Sequence, residues 1–193
     1  MKRSMLVPLT LLISFSLLGT ANAISVISDP VEPGQGWVGT SSFNGGFGLT
    51  TPIEGPNMAL FASQNAETYF KSFSGILLEE GDYAVTFWVH NFANATIPPG
   101  LTAQVFAGGT PLIPASSATP SPGLGDWVQW TLNYSVTAAY PLIGQTLEFK
   151  ISRDAGVGNG GWDSLAVDFT PVPEPTTALL LGLGLFALAG RRP

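Results

Sequence analysis

Residues 127–136 read Trp127-Val128-Gln129-Trp130-Thr131-Leu132-Asn133-Tyr134-Ser135-Val136, and this stretch decides the fold. Val128, Trp130, Leu132, Tyr134 and Val136 are apolar, and the four residues between them are polar. A period of two is the pattern of a strand with one face buried and one face wet. The same alternation runs through Leu147, Phe149 and Ile151, through Leu165, Val167 and Phe169, and through Tyr83, Val85, Phe87 and Val89 after the turn Glu80-Gly81-Asp82. Shorter strands are expected at 59–63, 68–73 and 102–107, with fragments near Trp37, at 43–49 and near Leu112. No helical stripe of period 3.6 competes. About eight short strands separated by Gly, Pro and Asn turns predict an all-β, two-sheet antiparallel sandwich, with a jelly roll first and an up-and-down barrel second.

Composition narrows the function classes. Between residues 24 and 170 there are twelve acids against Lys71, Lys150 and Arg153, a formal charge of −9. Phosphate backbones are bound by clustered Lys and Arg, so nucleic acid is excluded as a partner. Such a surface repels anionic polymers but is indifferent to a neutral glycan. The chain has no cysteine, which removes disulfides and thiol nucleophiles. Residues 24–170 suit one domain held together by burial, and 171–175 read as a short linker.

The two ends carry targeting signals. Lys2 and Arg3 precede an apolar run over 5–18, and Ala21-Asn22-Ala23 is a small-x-small cleavage signal. Residues 1–23 therefore read as a signal peptide with cleavage directed by Ala21 and Ala23, and the mature chain is expected to begin at Ile24. At the other end the sequence is VPEPTTALLLGLGLFALAGRRP over 172–193. Its uncharged stretch, 176–190, would extend roughly 22 Å as a helix, against a hydrocarbon core of about 30 Å. Pro173 and Pro175 keep the preceding hinge extended. Arg191 and Arg192 are expected on the cytoplasmic side.

The order of signal peptide, low-charge β-rich body, Val172-Pro173-Glu174-Pro175, apolar segment and Arg191-Arg192 resembles the PEP-CTERM family of exported bacterial proteins. The resemblance covers residues 172–193. It implies Sec-type export and recognition of the tail by exosortase, a membrane-embedded protease. It also implies cutting near the Pro-Glu-Pro motif and release to the cell surface or an exopolysaccharide matrix. The basic cluster departs from the family in being only two arginines followed by Pro193.

The body resembles galactose-binding-like and carbohydrate-binding jelly rolls. The matching pieces are Pro56-Asn57-Met58-Ala59-Leu60, Glu80-Gly81-Asp82-Tyr83, Ala107-Gly108-Gly109, Trp127, Gly144-Gln145-Thr146-Leu147 and Trp162-Asp163-Ser164-Leu165-Ala166-Val167. This resemblance implies a structural calcium held by Asp163 and Glu32; the alternative is a plain hydrogen-bonded turn. Trp88 and His90 alternate with the apolar positions of their strand, so both are expected on the non-core face as a glycan-stacking pair. Trp37, Trp127 and Trp162 fall at strand ends or on polar faces and are further stacking candidates.

Catalytic signals are weak. His90 is the only histidine and stands without a G-x-S-x-G elbow. The glycine-rich 156–161 precedes a strand, so it reads as a hairpin loop and not a phosphate cradle. The expectation is a non-catalytic, exported β-sandwich, inner-membrane-anchored as a precursor and then placed at the surface or outside the cell, with extracellular polysaccharide as ligand. The alternatives are a secreted glycan-active hydrolase, which needs two carboxyls about 5 to 10 Å apart in a groove, and an uncleaved membrane-anchored periplasmic protein.

Overall fold

Strands of period two must pair along both edges and be covered over their apolar face, and this chain satisfies both needs with two stacked antiparallel sheets. The structure is a computed structural model that describes residues 21–39, 43–44, 51–61, 66–92, 101–155 and 159–172, with Gly182 and Gly184. The described residues form twelve strands in this order: β1 Ile24–Asp29, β2 Val38–Gly39, β3 Phe43–Asn44, β4 Met58–Phe61, β5 Glu67–Leu77, β6 Gly81–Asn91, β7 Thr102–Ala107, β8 Thr110–Pro111, β9 Ser116–Ala118, β10 Trp127–Val136, β11 Thr146–Arg153 and β12 Gly160–Pro171. One sheet runs β3-β4-β12-β6-β10-β9, with β1 added alongside β12, and the other runs β2-β5-β11-β7-β8. The architecture is a jelly-roll sandwich.

The core lies between the sheets. Val85, Phe87 and Val89 of β6, Trp130, Leu132 and Tyr134 of β10, and Leu147, Phe149 and Ile151 of β11 are all buried. These are the apolar phases of the strands named from sequence. Sequence reading passes over β1 and β9, β1 because Ile24-Ser25-Val26-Ile27-Ser28-Asp29 changes phase midway. In the structure β1 carries a register shift between Ser25 and Ile27.

β12 is also irregular. Asp163 pairs with Trp88 and Ala166 with Thr86, so one extra residue is inserted opposite β6. Ser164 takes a left-handed conformation there, with φ 54°. Such a bulge bends the strand and changes which side chains face inward. It corrects the expectation for Trp162. This ring is fully buried, edge-on to Trp37 with centroids 4.8 Å apart and 5.7 Å from Phe149, and so it is core and no sugar platform. Trp37 joins it, its indole N–H donating to Asp29 Oδ1 at 3.0 Å.

Asn22–Val172 forms one compact unit, and the terminal segments 1–21 and 173–193 form another. Of the second unit only Ala21, Gly182 and Gly184 are described, the two glycines being helical. The expected signal and tail helices therefore lie otherwise outside the described residues. Among the described residues no helix is long and apolar enough to cross a membrane.

β12 ends at Pro171, and Val172 is exposed. Ending the chain after Val172 should therefore leave the melting temperature of the sandwich unchanged in a thermal melt. Ending it after Leu165, which deletes the pairing of 166–171 with β6, should abolish cooperative unfolding.

Candidate functional site

The outward face of the larger sheet is built from the polar phases of its central strands. Register places Trp88 of β6 between Gln129 of β10 and Asp163 of β12. Toward the β6 N-terminus the rows continue as Ala166-Thr86-Thr131 and Asp168-Ala84-Asn133. Most of these side chains are small, and Trp88 is half-buried among them. A partly open indole beside a floor of short side chains offers a flat surface to a ligand. Asn133 Nδ2 donates to Ser116 Oγ at 3.0 Å on the neighbouring β9, so hydrogen-bonding groups line the same face.

His90 lies on this outward phase too, but it is buried, with 1% of its surface exposed. The sequence expectation of a surface or groove-lining histidine is corrected accordingly. Its ring sits against Phe92, centroids 4.3 Å apart, and against Trp127, 4.8 Å apart. Opposite it on β12 is Gly161, where a Cβ would come within 2.9 Å of the Phe92 ring and 3.2 Å of the Met58 sulfur. Met58 and Leu60 are buried as well, so a small apolar cluster covers this end of the outward face. Trp127 is held in place by its indole N–H donating to the Thr51 carbonyl at 3.1 Å. Among the described residues neither ring nitrogen of His90 has a hydrogen-bond partner at normal distance and angle, the Gly125 main chain making only a weaker approach. Burial lowers the His90 pKa below its usual value, while the Gly125 main chain and the Asp126 carboxylate act the other way. Alternation along one strand could not show this cover, because it comes from residues 58, 92 and 127.

Asp163 and Glu32, named together from sequence, are brought within electrostatic reach of each other. Asp163 is fully buried. The Ile53 and Glu54 amides donate to its Oδ2 at 2.7 and 3.1 Å, and the Ser164 amide donates to Oδ1 at 2.8 Å. Glu32 accepts from the Asn57 amide at 2.9 Å and from Asn57 Nδ2 at 2.6 Å. Ser164 Oγ donates to Glu54 at 3.0 Å. Burial pushes the Asp163 carboxyl up to about 6, the three amides pull it down, and the Glu32 carboxylate adds to the rise. Among the described residues the ion pairs are Lys71–Asp29 and Arg153–Glu67, so no basic side chain answers Asp163. Two acids sharing a site without a counter-charge fit a hard cation. A carboxylate has about four lone-pair sites, so both acids keep capacity beyond their N–H donors. Among the described residues no third acid or histidine joins them, so further ligands would be main-chain or amide oxygens.

The remaining sequence-named residues are quickly placed. Ala21 and Ala23 precede β1, Ala23 being exposed, and Val172 follows β12. Pro173, Glu174, Pro175, Arg191 and Arg192 lie outside the described residues.

The two perturbed groups oppose each other in pH dependence. Asp163 binds its proton more tightly when folded, so its contribution is complete below the ordinary carboxylate value of 3.8 and is lost as pH rises through about 6. His90 binds its proton less tightly when folded, so its contribution is complete above 6.5 and is lost as pH falls below that. Measured against the parent protein in melts with chelator present, Asp163→Asn should therefore lose stability on going from pH 7 to pH 5. His90→Phe, against the same parent, should gain stability over the same range. Parallel slopes for the two variants would contradict these assignments.

Comparison with known proteins completes the description. The PEP-CTERM protein-sorting motif matches residues 171–192, so the chain is an exported protein with a sorting tail. No curated protein matches the sequence. Among solved structures, the Stig cyclase Fisc from Fischerella sp. TAU, in complex with (3Z)-3-(1-methyl-2-pyrrolidinylidene)-3H-indole, is similar at 17% identity and TM-score 0.58, covering 79% of this chain and 100% of that one. The CBM22-1 xylan-binding domain of Paenibacillus barcinonensis Xyn10C is similar at 12% identity and TM-score 0.53, covering 78% and 97%. At these identities the likeness is one of fold. The HpiC1 cyclase profile matches residues 20–172, nearly the whole sandwich, and the chain therefore belongs to the HpiC1-like family.

Proposed function

We propose that this chain is a surface or extracellular-matrix protein that binds neutral polysaccharide on the outward face of its larger sheet. The observation that carries the reading is Trp88, half-buried on the outward side of β6, flanked in register by Gln129 and Asp163 and followed by rows of small and hydroxyl or amide side chains. The indole offers a stacking plane for a pyranose ring, and Gln129, Thr131 and Asn133 offer groups for its hydroxyls. His90 contributes indirectly, as a buttress under Trp127. The xylan-binding neighbour supports a glycan as ligand, and the charge of −9 favours an uncharged one. Sec-type export, recognition by exosortase and cleavage near Glu174 belong to the same reading, which rests on the sorting motif.

Binding to a glycan array that includes xylan should fall about tenfold or more in Trp88→Ala, a loss of roughly 1.4 kcal/mol. Equal binding by both proteins, or none by either, would remove this site.

A calcium ion on Asp163 and Glu32 is part of the proposal. It is supported by the buried acid that no basic side chain answers. The ion would supply the missing positive charge there and fix the loop holding Ile53 and Glu54 against β12. Millimolar calcium should raise the melting temperature at pH 7.5, EDTA should reverse the rise, and Asp163→Asn should be insensitive to both. An unchanged melting temperature of the parent protein would mean that the N–H donors alone hold the turn.

Membership of a cyclase family favours a second reading, in which the same aromatic face holds a small ring-bearing substrate. The Fisc complex supports an indole compound as its class. Conversion of an indole substrate by the parent protein with calcium, lost in Trp88→Ala, would select this reading over glycan binding.

A further inference from the structure

We infer that one end of the sandwich rests on the lipid surface while the tail still anchors the protein. This rests on the reading that the sorting motif holds the precursor in a membrane.

β1 and β12 are antiparallel neighbours, with Ile24 opposite Phe169, so the first residue of β1 and the last residues of β12 lie at the same end. Pro171 pairs with Gly81, and Gly81 also pairs with Val136, which brings the β5–β6 and β10–β11 connections to that end. The Leu78 amide donates to the Gln145 carbonyl and the Gly144 amide to the Leu78 carbonyl, both at 2.8 Å, locking Leu77 and Ile143 beside each other.

The side chains gathered there are unusual for a wet surface. Ile24, Leu77, Ile143 and Val172 are exposed by 54, 46, 38 and 47%, and they span both sheets. Exposed large apolar groups that share one end of a domain point to an interaction surface there. Tyr140, half-buried in the same connection, is of the amphipathic type that suits the boundary between water and lipid.

Chain length commits the occupant. The apolar tail begins at Thr176, five residues beyond Pro171, and five extended residues reach at most about 17 Å. Pro171, at the end that carries these four side chains, is therefore tethered by at most that length of chain to the start of the apolar tail. The charges there define the lipid. Glu79, Glu80 and Asp82 are exposed, and residues 77–82, 107–110 and 137–145 contain no Lys or Arg. Contact is thus apolar, suits zwitterionic headgroups and is weakened by anionic ones.

The absence of native cysteine makes single labels unambiguous. Full chain carrying Leu77→Cys, Ile143→Cys or Leu124→Cys, with an environment-sensitive fluorophore attached, is bound to phosphatidylcholine vesicles containing a brominated quencher lipid. Leu124 is an exposed control at the other end, bridged to Asn91. The expected result is emission shifted to the blue and about twofold stronger quenching at 77 and 143 than at 124, reduced when phosphatidylglycerol is mixed in. Circular dichroism confirms that each variant is folded; since all three positions are exposed, none disturbs the core. A chain that floats with the vesicles but shows equal signals at all three positions overturns the docking and leaves the tail reading standing. A chain that does not float overturns both.

Discussion

The bulge in β12 is the constraint on which the rest of the structure depends. One extra residue between Asp163 and Ala166, with Ser164 held at φ 54°, lets a single strand serve two opposite purposes. C-terminal to it, Leu165, Val167 and Phe169 face the core; N-terminal to it, the inward phase shifts to Trp162. Without the insertion, the inward positions would continue to Asp163 and place a carboxyl among Trp37, Tyr69 and Phe149. A residue other than glycine in this conformation is sterically costly, and the amide and hydroxyl of Ser164 offset that cost through Asp163 and Glu54.

The consequences spread outward from that point. Because Asp163 faces away from the core, it collects the Ile53 and Glu54 amides and draws the 51–57 loop onto the sheet. Thr51, at the start of that loop, in turn receives the Trp127 indole, and Trp127 lies on His90. A buried acid, a loop, a tryptophan and a histidine thus form one chain of contacts beside Trp88. The acid and the histidine are both kept closer to neutral by burial than their ordinary pKa values suggest.

A shared fold leaves the chemistry open, because cyclases and xylan-binding domains both use this sandwich. In this chain the described residues of the outward face include one half-buried indole and a floor of short side chains, and the acid with a pKa near 6 is covered by the 51–57 loop and bonded to its amides.

Much of the architecture was legible in the chain because period-two alternation is a local property: 127–136, 83–89, 147–151 and 165–169 each display their buried face in their own letters. β1 escaped because a register shift interrupts its alternation and β9 because three small residues carry no pattern, whereas β2 and β3 were legible only as the fragments near Trp37 and at 43–49. The pairing of Asp163 with Glu32 came from a family resemblance and not from spacing. The sequence by itself determined the principal strands, the sorting motif and the acidic, cysteine-free character of the body, since these follow from neighbouring residues or from composition. Only the tertiary structure decided that Trp162 turns inward, that His90 is covered and that the chain leaves the sandwich beside four exposed apolar side chains. Each of these depends on which distant strand lies alongside and where its register slips, and no single stretch of sequence contains that information.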